Sequence, residues 1–598
     1  MWVANAPDIL FYPDADRDGR ADGPPQQVLT GFGRDDTHEL PNSLTWGPDG
    51  WLYGLNGVFN ASHVRYGKDN AYLKPSEKEK HPGWKITCAM FRIHPRTREF
   101  QVFCEGTSNP WGIAFNDNGD AFVSACVIDH LWHLVETGYY HRQGGPYPPH
   151  TWKLESIVDY KHQMAAYCGI TWFDSDAYPE EFRKKLYMGN IHGGCINVDG
   201  LERHGATYKG IKHDDFLTAN DVWFMPVVQK VGPDGCLYIL DWYDRYHCYQ
   251  DANYDPPGVD RAKGRLYRVR YKETPRAPKF DLVAETDDQL IERLSSGNIF
   301  YREQAQRVLA ERLGREDNSV TRQKLETIAS DASSPQTPRF GALWTMVGSG
   351  RLNDEFYRDL LSNHVTFPPM MRAWGARAAG DFELKDAETI EEVRSLALSM
   401  NNEVRPMGVV AMRKLIDDDA LPTLLSAASG PRDPRSPVVQ AVVWQNIEPF
   451  LRRDGGKLPQ IVRTSIETSA DGAAKFRSGG VLEGLTALAP RLVEWYLAQD
   501  AAGAAPLAEI FAECVNLDEA QALKKGIHVE AAQGLRSVLI ASLAAQAQSG
   551  SLNKLRDKLE PLFNILAERA AEYERRHLCR ALPLEKPGRR GKDAALVA

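Results

Sequence analysis

The run Asp35-Asp36-Thr37-His38-Glu39-Leu40-Pro41-Asn42-Ser43-Leu44-Thr45-Trp46-Gly47-Pro48-Asp49-Gly50-Trp51-Leu52-Tyr53-Gly54 decides how this chain is read. Leu44-Thr45-Trp46 and Trp51-Leu52-Tyr53 are short apolar and aromatic runs of β type, and the Gly-Pro-Asp-Gly between them is a hairpin turn signal. Polar residues (Asp36, His38, Glu39, Asn42, Ser43) stand ahead of the first strand. The unit returns as Ile113-Ala114-Phe115-Asn116-Asp117-Asn118-Gly119-Asp120-Ala121-Phe122-Val123 and as Val231-Gly232-Pro233-Asp234-Gly235-Cys236-Leu237-Tyr238-Ile239. A weaker copy runs from Cys168-Gly169-Ile170-Thr171-Trp172-Phe173 to Leu186-Tyr187-Met188-Gly189-Asn190. Spacings of about 50–70 residues suit a four-stranded blade with a long excursion, so the expectation is a β-propeller. A ring closes only with more blades than the copies seen, because an open stack leaves edges unpaired.

Each copy carries polar residues just before its inner strand. They are His38 and Asn42, then Asn109-Pro110-Trp111-Gly112, then Asn220-Asp221. Others follow the strands: His130-Leu131-Trp132-His133, Asn190-Ile191-His192-Gly193 and Asp241-Trp242-Tyr243-Asp244. In a propeller the inner-strand starts converge at the channel mouth, so His38, Glu39, Asn42, Asn109, Trp111, His130, His192, Asn220, Asp221 and Asp244 are expected to share one pocket. The competing reading is that these side chains cap turns and strand ends.

Asp14-Ala15-Asp16-Arg17-Asp18-Gly19-Arg20-Ala21-Asp22 places carboxylates at alternate positions before a glycine, the spacing that wraps a hard cation in oxygens. The twelfth position is Pro25 rather than Glu, which excludes an EF-hand. A calcium loop held by Asp14, Asp16, Asp18 and Asp22 is the expectation, against a solvated acidic turn.

At 598 residues the chain exceeds one ordinary core. Its 71 basic against 80 acidic residues leave a net charge of −9 and no basic footprint, which argues against nucleic acid as a partner. No apolar run approaches the roughly 18 residues of a membrane span. Met1-Trp2-Val3-Ala4-Asn5-Ala6-Pro7 lacks the basic and apolar regions of a signal peptide. The nine cysteines never form Cys-x-x-Cys, so there is no covalent haem motif and no zinc ribbon; most read as buried free thiols.

After a linker at 276–285 the texture changes to amphipathic helices over 286–578. Arg302-x-x-Ala305, Arg339-x-x-Ala342, Arg372-x-x-Gly375, Arg405-x-x-Gly408 and Val438-x-x-Ala441 recur every 33 to 37 residues, each early in a second helix. A small residue where helices cross fits stacked pairs. The ankyrin and tetratricopeptide patterns are absent, leaving a HEAT-like solenoid, with a protein partner expected on its surface. Residues 579–598 read as a basic disordered tail.

Several of these segments together resemble the planctomycete-type family of so-called membrane-bound dehydrogenase proteins. They are Trp2-Val3-Ala4, the Asp14–Asp22 loop, Asn42-Ser43 with Trp46 to Gly54, Glu105 to Gly112, His130 to His133, Asn190 to Gly193, Asn220-Asp221 and Asp241 to Asp244. The resemblance covers about residues 1–270. It implies a six-bladed β-propeller, distantly similar to quinoprotein sugar dehydrogenases, followed by HEAT-like helices, in a periplasmic or extracytoplasmic setting. It also implies a sugar or polyol substrate, pyrroloquinoline quinone as cofactor, and His38 as the proton-accepting base, with Glu39 competing for that place. An anionic quinone wants a cation, for which Arg65, Arg142 and Arg245 are available.

Three departures from the family stand out. A signal peptide and more upstream blade sequence are expected but not seen, so the chain reads as N-terminally truncated. The c-type haem domain is missing. Family histidines before the weaker inner strand are replaced by Ala165-Ala166-Tyr167-Cys168-Gly169. The alternative function is a non-catalytic carbohydrate- or protein-binding scaffold.

Overall fold

The structure is a computed structural model. It describes residues 1–548 except 146, 149, 163–165, 247–252, 259–261, 351, 417–419, 430–436, 468–471, 500–505, 508 and 511–528. Ala165, Cys248, Cys514, Cys579 and the expected tail at 579–598 lie outside the described residues. The chain forms two compact units, residues 1–147 with 153–375, and residues 148–152 with 376–598.

Five β-sheets build the first unit. The first runs Trp2–Asn5, Asp8–Phe11, Gln26–Thr30, Ser62–Tyr66 and Trp84–Ile86. The second runs Asn42–Trp46, Leu52–Asn56, Ala89–Ile93 and Phe100–Thr107, and Tyr139–Arg142 joins its far edge in parallel. The third holds Asn109–Phe115, Ala121–Cys126 and Leu131–Leu134. The fourth holds Tyr167–Phe173, Lys185–Asn190, Cys195–His204 and Thr207–Lys212, and the fifth holds Pro226–Val231, Leu237–Asp241 and Arg265–Val269.

Strands Trp2–Asn5, Asn42–Trp46, Asn109–Phe115, Tyr167–Phe173 and Pro226–Val231 lie side by side as the inner strands of successive sheets. The sheets stand in an open row: among the described residues no strand pairing closes them into the expected six-bladed ring. Apolar faces fill the space between sheets, with Ile9, Leu29, Val64, Phe91 and Ile93 at one end of the row and Phe122, Phe173, Leu186, Ile196 and Leu237 at the other, all essentially buried.

The hairpin turns do more than reverse the chain. In Gly47-Pro48-Asp49-Gly50 the Asp49 carboxylate accepts from Trp51 N at 3.1 Å, from the Tyr53 hydroxyl at 2.6 Å and from Arg92 Nη1 at 3.0 Å. Asp234 repeats the set with Cys236 N at 3.1 Å, the Tyr238 hydroxyl at 3.0 Å and Arg268 Nε at 2.6 Å. A buried carboxylate must be paired or donated to, and each turn brings its arginine from a later strand.

These turns are seated on helices of the same unit. Gln306 Nε2 donates to Pro48 O at 2.8 Å, Asn298 Nδ2 to Gly232 O at 3.1 Å, and the Trp374 indole to Asn118 O at 2.8 Å. Gly50 has φ +76°, and a Cβ there would sit 2.9 Å from Gly348 Cα, so only glycine lets the turn approach that helix.

From Asp287 onward the described residues are helical, with helix pairs 287–293/299–315, 319–330/336–349 and 354–362/369–381 followed by further helices to Gln548. The recurring arginines satisfy carbonyls at neighbouring helix ends: Arg339 Nε donates to Ala329 O at 3.0 Å and Arg372 Nε to Leu361 O at 2.7 Å. In the second unit the Arg405 guanidinium donates to Ala427 O. The small residue three positions on is required there: a Cβ on Gly408 would meet Ala397 N at 2.5 Å. No helix is long and apolar enough to cross a membrane among the described residues.

Candidate functional site

Each inner strand of the second to fifth sheets runs towards its hairpin turn, and each is bulged near its start; the starts are polar at Asn42 and Asn109. The register shifts fall between Asn42 and Thr45, Pro110 and Ile113, Cys168 and Ile170, and Pro226 and Val228. A bulge bends a strand and re-aims its side chains, and one placed four times at the same end marks the end that differs from a plain ladder.

At this end of the second sheet the 3-10 turn Thr37–Glu39 packs against strand Asn109–Phe115. Asp36 caps it: Oδ1 accepts from His38 N at 2.9 Å and lies 2.8 Å from His38 Nδ1. The His38 side chain is 36% exposed and turned to Asp36. Glu39 is 1% exposed. Its Oε2 accepts from Phe59 N, while Oε1 is buried without a partner.

Burial pushes the Glu39 carboxyl up to about 7; the Phe59 amide pulls the other way, and Asp36 adds a smaller push upward. The loop opposite is fitted to it. A Cβ on Gly57 would lie 2.3 Å from Glu39 Cβ, and Asn60 ties the two segments through Asp36 N at 2.9 Å and Asp36 O at 2.8 Å.

Asn42 is buried, donating to Leu40 O at 2.9 Å and accepting from Ser43 Oγ at 2.7 Å. Ser43, at φ +56°, accepts Gly112 N at 2.8 Å and so ties the second inner strand to the third. Asn109 Oδ1 is buried with no partner, and Trp111 is partly buried, its carbonyl accepting from Ser124 Oγ at 2.6 Å.

Arg142 pairs in register with Thr107, close before Asn109 in sequence. Its guanidinium is buried, bonded to Thr87 Oγ1, with Nε unpartnered and the Tyr147 ring 5.0 Å away. Beside it burial pushes Glu105 up to about 7, with Arg142 opposing, and Tyr139 Oη is buried without a partner. The Cys88 thiol, pushed up to about 12 by burial, feels both Glu39 and Arg142, which places all three in one neighbourhood. Of the other arginines considered, Arg65 bonds His63 Nδ1 at 3.0 Å and Arg245 pairs with Asp255 at 3.1 Å, both at the surface.

A second polar group lies between the third and fourth sheets. His130 Nε2 is 2.8 Å from Asp199 Oδ2 and His162 Nε2 is 2.9 Å from Asp199 Oδ1, which also accepts the Tyr160 hydroxyl at 2.7 Å. All three of His130, His162 and Asp199 have fully buried side chains. Burial alone would raise the Asp199 carboxyl, but hydrogen bonds and charge from the two histidines bring it to about 2. Only His130 was expected from sequence. Asp199 carried a readable signal, a charged residue inside the strand-like run Ile196-Asn197-Val198-Asp199; His162 carried none.

The remaining candidates lie elsewhere. His192, Asn220 and Asp221 are exposed, and Asp221 caps its own turn by accepting Trp223 N at 3.0 Å. Asp244 is 4% exposed and accepts Tyr246 N at 3.3 Å. In the acidic loop Asp14, Asp16 and Asp18 bring one oxygen each within 4.8 Å of one another. Asp22 folds back instead, accepting Ala15 N at 2.6 Å. Arg17 pairs with Glu311 at 3.7 Å, on the helix whose Gln306 holds the Pro48 turn. The loop therefore belongs to the helix side of the sheets.

Residues 1–273 match a family described as a domain of unknown function (DUF7133). No curated protein matches the chain. Among solved structures, a Thermus thermophilus protein described as an oxidoreductase (glucose dehydrogenase) aligns over 45% of this chain and 92% of its own, at 16% identity and TM-score 0.26. The PQQ-bound aldose sugar dehydrogenase of Streptomyces coelicolor aligns over 45% of this chain and 74% of its own, at 16% identity and TM-score 0.30.

Proposed function

We propose that the sheet-bearing unit is a dehydrogenase-like module in which Glu39 takes the hydroxyl proton of a sugar or polyol. The observation that carries this is the buried Glu39 carboxyl, held near 7 with one oxygen tethered by Phe59 N–H and the other unpartnered. A general base works best when its pKa lies near the working pH and its accepting atom is fixed. His38 sits on Asp36 and serves the turn.

The acceptor in this reading is a soluble quinone of the pyrroloquinoline type, in line with the resemblance of residues 1–270 to planctomycete-type dehydrogenase proteins. The residues fit one of its carboxylates: buried Arg142 has an unpartnered Nε, with the Tyr139 hydroxyl unpartnered beside it. Such a group, when bound, accepts the hydride. Arg142 would hold its charge, Asn109 Oδ1 would accept a hydrogen bond from a substrate hydroxyl, and Glu39 Oε1 would take the proton. Calcium, in this reading, is held by Asp14, Asp16 and Asp18 and stiffens the loop on the helix side, away from the chemistry. The helical repeats are a HEAT-like docking surface for a protein partner, and the setting is periplasmic.

A second reading, a carbohydrate-binding scaffold without turnover, is favoured by the open row of sheets. The test is titration with pyrroloquinoline quinone and calcium, then dye reduction over a sugar and polyol panel. Turnover abolished in Glu39→Gln with quinone binding retained, and kept in His38→Ala, is the expected result. Sugar binding without dye reduction selects the scaffold, and turnover retained in Glu39→Gln removes Glu39 from the mechanism.

A further inference from the structure

We propose that His130, His162 and Asp199 form a binding site for one first-row divalent transition metal of the zinc type, with two imidazole nitrogens and one carboxylate as ligands. The inference is independent of whether Glu39 is a base.

Three segments distant in sequence are brought to one point. His130 precedes the last strand of the third sheet, His162 precedes the inner strand of the fourth, and Asp199 lies within strand Cys195–His204. Their ligand atoms all fall within 4.8 Å of one another. An ion with bonds of about 2.0–2.1 Å spaces tetrahedral ligands by roughly 3.3 Å, so the contacts of 2.8 and 2.9 Å need to open by only about half an ångström.

Charge argues in the same direction. Four of the buried aspartates, Asp49, Asp120, Asp174 and Asp234, meet an arginine, at 3.0, 2.7, 2.6 and 2.6 Å, while Asp241 and Asp244 accept from backbone amides. Asp199 is equally buried, yet its described hydrogen-bond partners are two imidazoles and a phenol. A buried charge is normally paired or bound to metal, and a metal ion would take the place of the imidazolium protons that otherwise answer Asp199.

The surroundings suit a borderline metal rather than calcium. Neutral imidazoles select zinc, iron or copper, whereas calcium takes oxygen ligands in larger number. The Tyr167 ring lies 4.9 Å from the His130 ring at 32°, and Tyr160 flanks both histidines at 5.5 and 5.8 Å, walling the point from water. The second nitrogen of each histidine, Nδ1, is buried without a partner. Of the polar partners described, only Asp199 therefore holds the rings with both Nε2 atoms aimed at one place. Three protein ligands leave a further coordination position, beside which stands the Tyr160 hydroxyl, 2.7 Å from Asp199 Oδ1.

With the ligands fully buried, the metal is expected to enter during folding, so the full chain is produced in zinc- or cobalt-supplemented medium, dialysed against chelator, and assayed for metal content. Retention of one zinc per chain is expected, and the cobalt form should show the visible d–d bands of imidazole ligation. His162→Gln and Asp199→Asn should lose affinity by about 100-fold or more, while Asp16→Asn, in the acidic loop, should retain the ion. The wild-type cobalt spectrum needs no variant, so it decides the matter even if a substitution prevents folding. No retained metal, cobalt without those bands, or full retention in both His162→Gln and Asp199→Asn overturns the proposal.

Discussion

Replacing Glu39 by Gln changes one atom and removes one titration, so it tests the central electrostatic claim without knowledge of a substrate. The folded carboxyl titrates at about 7 against an ordinary 4.5. The folded chain therefore holds that proton more tightly, and the stability it contributes is fully present below about 4.5 and lost as pH rises through about 7. The difference corresponds to about 3 kcal/mol at most, at 1.36 kcal/mol per unit. Gln mimics the protonated acid at every pH. The variant should lie within about 1 kcal/mol of wild type at pH 5 and gain on it by up to about 3 kcal/mol by pH 8.5. For a unit of roughly 370 residues, that is a rise in Tm of about 4 °C relative to wild type. Glu105, also near 7, titrates in both proteins and cancels in the difference. Differential scanning calorimetry at pH 5, 6, 7 and 8.5 reads it directly. A constant offset between the two proteins across that range would show that Glu39 is solvated and ionised throughout, and the base assignment would fail with it.

Other outcomes follow from the packing. Asp49→Ala takes the nearer of two counter-charges from the fully buried Arg92 guanidinium, leaving Glu136 at 3.4 Å, and should cost about 3 kcal/mol in urea unfolding. Asp234→Ala should cost less, because Arg268 is partly exposed and keeps Thr274 O and Pro275 O at 2.8 Å. Gly408→Ala, although alanine is the better helix former, should destabilise by about 1–3 kcal/mol through its overlap with Ala397. Calcium should raise Tm in wild type and not in Asp16→Asn; saturation at 100 times Kd corresponds to about 2.7 kcal/mol, and an unchanged Tm on chelation would leave the loop an acidic turn.

What the sequence made legible was local. Gly-Pro-Asp-Gly between apolar runs names a hairpin because turn chemistry acts over four residues, and the sheets lie where those runs predict. The partner of Asp49 could not be read the same way: Arg92 reaches it across 43 residues, through a strand register that no local pattern encodes. The same limit hid Asp199, whose histidines lie 69 and 37 positions away. His38 and Glu39 were indistinguishable in the sequence because a single 3-10 turn has no periodicity long enough to fix which side chain points inward. The bulges were invisible for a similar reason, since one extra residue leaves the apolar pattern on either side intact. The loop Asp14–Asp22 was legible as a convergence of carboxylates, but its fourth member, Asp22, holds its own backbone rather than the cluster.

The seating of hairpin turns on individual helices has a consequence for how such a protein can change. In a closed ring each blade is positioned by its two neighbours, so inserting one disturbs the circumference. Here Pro48, Asn118 and Gly232 are each gripped by a different side chain from the helices, Gln306, Trp374 and Asn298. Position is thus set turn by turn, as along a rack. A sheet could be gained or lost at the end of the row by gaining or losing its own helical peg, leaving the other turns in register.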